Sequence, residues 1–318
     1  MVEKIDLIDR KILSELDKDA RQTLNQIAKK VGKSKQLINY RIKNLEQRGV
    51  IKGYNAIIDY SKLGFLSFRV YIKLKGIAPK KQEEFVDFLK KQKEVWWLMS
   101  VENICDIAYA TFVEDVYEFY GYLEKLSKYN KYIQSKEVVI YSHIRQFSKS
   151  YILDKISSRE EYLVGASKKD KFDKVDLKLL ELISENARIS LIDLASKLKM
   201  APQSVTYRLK NLEKKEIVKG YRVNLDLDKL GFKDYKIYLR LINNSRMKDL
   251  EDFCKSNKSI VTTNKTIGGA DFEIELQLND LEEFHKILDK LREKFSDIID
   301  SYKYGVARKE IKMVYFPS

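Results

Sequence analysis

The sequence predicts an α+β fold: two copies of one unit, each a three-helix head followed by a βαββαβ body. Three observations carry this. Aligning Asp6 with Asp173 needs no gap as far as Phe65 and Phe232, and 24 of those 60 pairs are identical. A match of that length at constant offset marks an internal duplication. The first 60 residues of each copy carry helical periodicity broken at short turns. The remainder of each copy alternates strand-like and helix-like segments in one order.

Composition bounds the reading. The chain has 318 residues, 44% of them hydrophobic, with 12 Gly and 3 Pro. That is globular, with room for several cores, and neither collagen-like nor proline-rich. No apolar run approaches the roughly 18 residues that cross a bilayer. The opening MVEKIDLIDR alternates charge and has no apolar signal region, so a cytoplasmic protein is expected. Cys105 and Cys254 fall at non-equivalent points of the repeat and read as reduced core thiols; no cofactor or metal is expected.

Net charge is +14, which favours polyanions. The excess concentrates on a phrase that occurs twice, SKQLINYRIKNLEQRGVIKGY at 34–54 and APQSVTYRLKNLEKKEIVKGY at 201–221. Lys33 to Lys52 holds six basic residues and one acid, and Lys199 to Arg222 holds seven and two.

The heads read as follows. Asp6 caps a first helix with Asp9 in its first turn, and Ile12, Leu13 and Leu16 lie on one face. Thr23 with Gln26 forms a capping box for the second helix, which Gly32 stops. Ser34 caps the third, which runs to about Arg48. The second copy repeats the plan with Asp173, then Ser190 with Asp193. Its third helix starts after Ala201, a poor cap, on Pro202 as a first-turn residue.

On each third helix the apolar face holds Ile38, Ile42 and Leu45, or Val205, Leu209 and Leu212. The opposite stripe holds Gln36, Tyr40, Lys43 and Gln47 in one copy and Gln203, Tyr207, Lys210 and Lys214 in the other. Any surface helix carries such residues. The short-turned tri-helical setting and the local basic excess favour a winged-helix-like helix-turn-helix that reads DNA. Lys35, Gln36, Asn39 and Tyr40 are the base-reading candidates in the first head, and Gln203, Ser204, Thr206 and Tyr207 in the second. Gln pairs bidentately with adenine. Lys43 and Lys210 are assigned to phosphates. Arg41 and Arg208, flanking the inner face, read mainly as braces. VIKGYNAIID and IVKGYRVNLD are strands expected to tie each head to its body.

The bodies follow the order SFRVYIKL, PKKQEEFVDFLKKQ, VWWLMSV, IAYATFV, EDVYEFYGYLEKLSK, KEVVIYSHI, repeated from YKIYLRLI to IIDSYKYGVA. This βαββαβ order implies a ferredoxin-like antiparallel sheet with both helices on one face. The open face, with Trp96 or Trp97, Tyr71 and Tyr109, is expected to pack sheet to sheet against the other half. Boundaries are placed at 1–60 and 172–231 for the heads and at 61–146 and 232–318 for the bodies. A linker spans 147–171, where Ile152, Ile156, Tyr162, Leu163 and Val164 are the docking candidates.

The head with D-x-x-D at its start, then R-[IL]-K-N-L-E-x-x-x-[IV]-[IV]-K-G-Y, then the βαββαβ (RAM-type) body resembles the Lrp/AsnC family of feast/famine transcription regulators, twice over. Asp9, Leu13, Ala20, Arg21, Arg41, Leu45, Glu46, Gly53 and Tyr54 carry the match in the first copy. Asp176, Leu180, Ala187, Arg188, Arg208, Leu212, Glu213, Gly220 and Tyr221 carry it in the second. The resemblance implies double-stranded DNA as partner, bodies that pair, assembly into a homo-oligomer, and an amino-acid effector. The family's Gly-x-x-Asp turn survives as Gly268, Gly269 and Asp271, whereas the first copy reads Asn103-Ile104-Cys105-Asp106. A plain hairpin turn also explains the glycines.

His143 and His285 have no partner at metal or triad spacing, and no phosphate-binding loop, dinucleotide motif or paired-Cys motif is present. The chain is therefore expected not to be an enzyme. Two alternatives stay open: a siroheme-type, haem-pathway decarboxylase, which the resemblance also covers, and a ligand-sensing interaction protein that does not bind DNA.

Overall fold

The computed structural model describes residues 2–154, 159–314 and 316. The first head holds α1 (Leu7–Lys18), α2 (Leu24–Val31), α3 (Lys35–Gln47) and β1 (Ile51–Ile58). The second holds α6 (Lys174–Glu185), α7 (Leu191–Leu198), α8 (Pro202–Lys214) and β7 (Val218–Leu225). The first body is β2 (Leu66–Leu74), α4 (Pro79–Lys91), β3 (Val95–Glu102), β4 (Ile107–Val113), α5 (Val116–Lys125) and β5 (Ile133–Phe147). A short strand, β6 (Glu161–Val164), follows before the second head. A one-turn helix α9 (Leu227–Leu230) leads into the second body: β8 (Lys233–Leu241), α10 (Met247–Ser256), β9 (Ile260–Ile267), β10 (Phe272–Leu278), α11 (Leu281–Phe295) and β11 (Ile299–Met313).

Head caps form as the sequence implies. Asp9 N–H donates to Asp6 at 2.9 Å and Asp176 N–H to Asp173 at 2.8 Å, each in a reciprocal capping box. Thr23 and Gln26 form another. Ala201 makes no side-chain cap, and Pro202 opens α8. α2 ends on Gly32 at φ +71°, while α7 ends on Lys199 at φ +53°. Each cap satisfies helix N–H groups that otherwise have no partner, worth about 1 kcal/mol apiece.

β1 and β7 do not merely lead from head to body: they pair with each other, antiparallel, Tyr54 opposite Val223 and Ala56 opposite Tyr221. This ribbon fuses the two heads around one core that includes Ile38, Leu45, Val205 and Leu212. The contact is reciprocal. Ala20 N–H donates to Tyr221 O and Ala187 N–H to Tyr54 O. Arg21 donates to Ala187 O at 2.7 Å and Arg188 to Ala20 O at 2.5 Å. Each arginine also lies over the other copy's tyrosine ring, Arg21 5.3 Å from Tyr221 and Arg188 5.2 Å from Tyr54. The repeated Ala-Arg pairs and the repeated tyrosines therefore serve the head–head contact.

The bodies depart from stacked sheets. Eight strands run β2-β4-β3-β11-β8-β10-β9-β5, and β5 returns to pair with β2, closing a barrel. Closure depends on the two long strands. The start of β5 pairs with β2 and its end with β9 of the other body. The start of β11 pairs with β8 and its end with β3. Both outrun the strands expected from sequence because the extra residues bond to the other half. The inward faces meet inside: Tyr71, Trp97, Met99, Tyr141 and Tyr238 form that core. Tyr109 is a correction. It faces outward into the core under α4 and α5, with Phe85 and Tyr122. A register shift between Val95 and Trp97 explains why Trp96 also reaches the interior side, stacked 4.8 Å from Phe112.

The linker is partly built into the fold. β6 extends β5, Val164 is buried inside the barrel core and Ile152 in the head core. Ile156 lies outside the described residues.

Candidate nucleic-acid interface

α3 and α8 are held from behind by equivalent ion pairs. Arg41 reaches Asp6 at 2.8 Å and Asp9 at 3.3 Å; Arg208 reaches Asp173 at 2.7 Å and Asp176 at 2.8 Å. Both arginines thereby tie the third helix of a head to the start of its first. Hydrogen bonding keeps the Asp6 and Asp173 carboxyls below the usual range, first from the Asp9 and Asp176 N–H groups and then from the arginines, against a partial opposing effect of burial. Tyr54 and Tyr221 donate to Glu46 and Glu213, both at 2.6 Å. Burial and then these acceptors raise both phenol pKa values.

The outer stripes face solvent. Tyr40 is 65% exposed and Tyr207 73%. Lys35, Gln36, Lys43, Gln203, Ser204 and Lys210 are exposed; Asn39 and Thr206 are half-buried. Thr206 Oγ1 donates to Pro202 O at 2.8 Å, a local bond that leaves its methyl group as the outward feature. Each head thus offers amide, phenol and ammonium groups on one ridge, able to contact base edges and phosphates.

The turns that carry Asp271 and Asp106 have a structural job in both copies. Asp271 accepts from Leu241 N–H at 2.8 Å and Asp106 from Leu74 N–H at 2.7 Å, so each pins the end of the neighbouring strand. Gly268 and Gly269 have φ of +86° and +69°, and Asn103 reaches φ +77°. A Cβ on Gly269 would run into the Glu137 carboxylate and the Val139 side chain. An open groove of about 1010 Å³ lies where the first copy's turn at Asn103 and Ile104 meets α11 and β11 of the second body, beside Arg292, Ser296 and Tyr302.

The sequence reading missed a charged cluster inside the barrel. Glu273, 0% exposed, accepts from Tyr71 at 2.8 Å and from Tyr141, and pairs with Lys236 at 2.7 Å. Glu275 pairs with Lys236 at 2.8 Å and Arg69 at 3.1 Å. Burial opposes ionisation of Glu275, but Lys236 and Arg69 outweigh it and hold the carboxyl at about 2. The signal was present: aligning Asp106 with Asp271 sets Ala108 and Ala110 against Glu273 and Glu275.

The winged helix-turn-helix DNA-binding family matches residues 5–52 and 172–219. Two uncharacterised HTH-type transcriptional regulators of Pyrococcus furiosus are each 39% identical to this chain. The alignments cover 32% and 33% of this chain, and 61% and 69% of theirs. LrpB, an HTH-type transcriptional regulator of Bacillus subtilis, is 26% identical over 45% of this chain and 93% of its own length. The chain belongs to the Lrp/AsnC family of HTH-type transcriptional regulators. As a tandem it also resembles, over its whole length, the siroheme decarboxylase NirDL: TM-score 0.67, 98% of this chain and 94% of that one, at 12% identity. At that identity the likeness concerns the fold. It nevertheless overturns the expectation that the chain is not an enzyme. That expectation rested on missing sequence motifs, and a solved structure that shares this whole-chain fold is an enzyme. Among the described residues, no helix is long and apolar enough to cross a membrane.

Proposed function

We propose that the chain is a sequence-specific DNA-binding transcription regulator that does alone what a family dimer does. One observation carries this reading: two equivalent, exposed polar ridges, on α3 and α8, belong to heads fixed to each other by the β1–β7 ribbon. Fixed heads address successive major-groove segments, about 34 Å apart. The ridges differ, Lys35 against Pro202 and Asn39 against Thr206, so the two half-sites need not be alike. In this reading an amino-acid effector engages the Gly268, Gly269 and Asp271 turn, where Glu137 offers a carboxylate to an ammonium group.

A mobility shift on selected duplexes tests the main claim. Replacing Lys43 and Lys210 by Ala should weaken binding to every sequence and flatten the salt dependence by about 0.9 per lost phosphate contact. Failure of the intact chain to shift any duplex at low salt would remove the proposal.

A second reading follows from the whole-chain fold shared with NirDL: turnover of siroheme. A tetrapyrrole absorbance band that co-purifies with the chain, and decarboxylated product from siroheme, would carry it.

A further inference from the structure

The two copies use the rim of the barrel differently. The end of β5 has a strand on each edge. β9 pairs with one, and β6 with the other, Arg145 opposite Leu163 and Gln146 opposite Tyr162. The end of β11 is its counterpart: Arg145 lies opposite Thr263 and Lys312 opposite Leu98, positions that the Asp106–Asp271 alignment matches. β3 pairs with one edge there. Among the described residues no strand takes the other edge at Glu310–Lys312. Such an edge offers backbone N–H and C=O groups to an added strand.

Three observations show the β6 seat repeated at this edge, but open. First, Tyr162 covers Gly220 so closely that a Cβ there would fall 2.5 Å from its ring; at the equivalent Gly53 a Cβ would meet nothing within 4 Å. Second, the buried Asp59 carboxylate accepts from Gly165 N–H at 3.0 Å and Ser167 Oγ at 3.1 Å, just past β6. Its equivalent Asp226 lines a cavity and accepts only from Lys229 N–H, at 3.0 Å, among the described residues. Third, Arg145 pairs with Glu161 at 3.0 Å, whereas the matching Lys312 donates to a neutral acceptor, Gln92 O, at 2.8 Å.

The cavity holds about 670 Å³ and lies between the β1–β7 ribbon and the mouth of the barrel, with Lys52 and Asn55 of β1 and Glu310 of β11 in its lining. Arg308 and Lys309 stand exposed on its rim, which favours an acidic flank in whatever binds.

We propose that this seat takes up an extended segment of a partner protein as an added strand, with the pattern of β6 itself: acid, aromatic, any residue, β-branched residue, glycine. The aromatic ring covers Gly53. The β-branched side chain enters the cavity as Val164 enters the barrel core. The glycine N–H bonds Asp226, and the acid meets Lys312. The Lys52–Glu310 pair, 2.7 Å, joins β1 to β11 beside the seat; both side chains are partly exposed, and a surface pair of that kind exchanges readily. The ridges of α3 and α8 take no part, so the seat does not depend on DNA binding.

The test uses the full chain and a fluorescein-labelled peptide, REEYLVGAS, the sequence of residues 159–167. Anisotropy should rise saturably to one peptide per chain. Replacing the peptide's tyrosine by alanine should weaken binding tenfold or more. Gly53→Leu fills the ring's place without backbone strain and should do the same, with circular dichroism unchanged. Peptides N-methylated at alternate amides, in each of the two phases, should differ: one phase loses tenfold or more and the other little, because a strand bonds one neighbour through alternate residues. Hydrogen exchange should show new protection at 308–313 and none at 144–147. Absence of saturation, unchanged affinity in a folded Gly53→Leu chain, or equal binding of both methylated phases overturns the proposal. Protection at 144–147 would mean that the peptide merely displaces β6, and overturns it too. Concentration-dependent dimers with 308–313 protected in the absence of peptide would assign the seat to a second copy and overturn the partner. Loss of DNA binding with this titration intact would strike only the regulator reading.

Discussion

The two bodies share an order of elements but not an inward face. On β3 and β4 the first body presents Trp97, Met99, Ala108 and Ala110 to the barrel interior. At the aligned positions on β9 and β10 the second presents Thr262, Asn264, Glu273 and Glu275. One wall is apolar with small gaps, and the other is charged. Arg69 spans them: it packs 4.2 Å from the Trp97 ring while its Nη1 bonds Glu275. The helix-facing sides diverged less in character, both being packed hydrophobic cores. The difference teaches that each half is fitted to its unlike partner. Two first bodies would bring Arg69 residues together without carboxylates, and two second bodies would bury four glutamates. Covalent fusion permits that specialisation, because the unlike partner is always present.

Making the halves alike should do the most damage. Ala108→Glu with Ala110→Glu places two more carboxylates on the apolar side of the interior without cations to match, and the double variant should lose its cooperative urea transition altogether. A retained transition would mean that the interior is wetter than its burial implies.

Next in size is removal of one partner. Glu273→Leu leaves Lys236 short of a counter-charge and two buried phenols without their acceptor. The expected cost is about 3–5 kcal/mol by urea unfolding. Adding Lys236→Met should recover part of it, which would show that the loss came from the stranded charge.

A pH-dependent effect follows. Burial raises the Asp234 carboxyl from its ordinary 3.8 to about 7, with Glu275 adding to the rise and Gln277 opposing it. The native state therefore holds this proton more tightly than the unfolded chain does. Its contribution to stability falls as pH rises from about 4 to about 7, and the penalty is complete above that. Asp234→Asn should be more stable than the parent at pH 8, by an amount on the order of 1–3 kcal/mol. The advantage should vanish below about pH 4. A pH-independent difference would remove the titration account.

The smallest test concerns the heads. Lys199 occupies the left-handed position that Gly32 occupies in the first copy. Lys199→Gly should stabilise by up to about 1 kcal/mol, read as a higher urea midpoint. No gain would mean that the Lys199 side chain makes a compensating contact.

Local signals made the heads legible. Caps at Asp6, Thr23 and Asp173 act within three residues, and helical faces repeat every 3.6 residues, so both can be read along a single segment. The exposed ridges on α3 and α8 were legible for the same reason. Arg21 and Arg188 belong to the family motif, yet their contacts lie 166 and 168 residues away, on Ala187 O and Ala20 O. No local pattern encodes that. Tyr109 was placed on the wrong face because alternation gives two faces and does not say which one the helices cover. The non-enzyme expectation rested on motif scans, which see only chemistry carried by short spacing, and the whole-chain fold shared with a siroheme decarboxylase overturned it.

By itself the sequence determined the duplication, the three-helix heads with their caps, the βαββαβ order and the polar stripe on each third helix. Those follow from spacing and local hydrogen bonding. The tertiary structure decided that β1 meets β7, that β5 and β11 close a barrel, that Glu273 finds Lys236 across the sheet, and that a cavity survives under the ribbon. These outcomes depend on which distant strands share an edge, and strand edges offer the same N–H and C=O groups whatever the side chains, so pairing is settled only when whole faces are buried together.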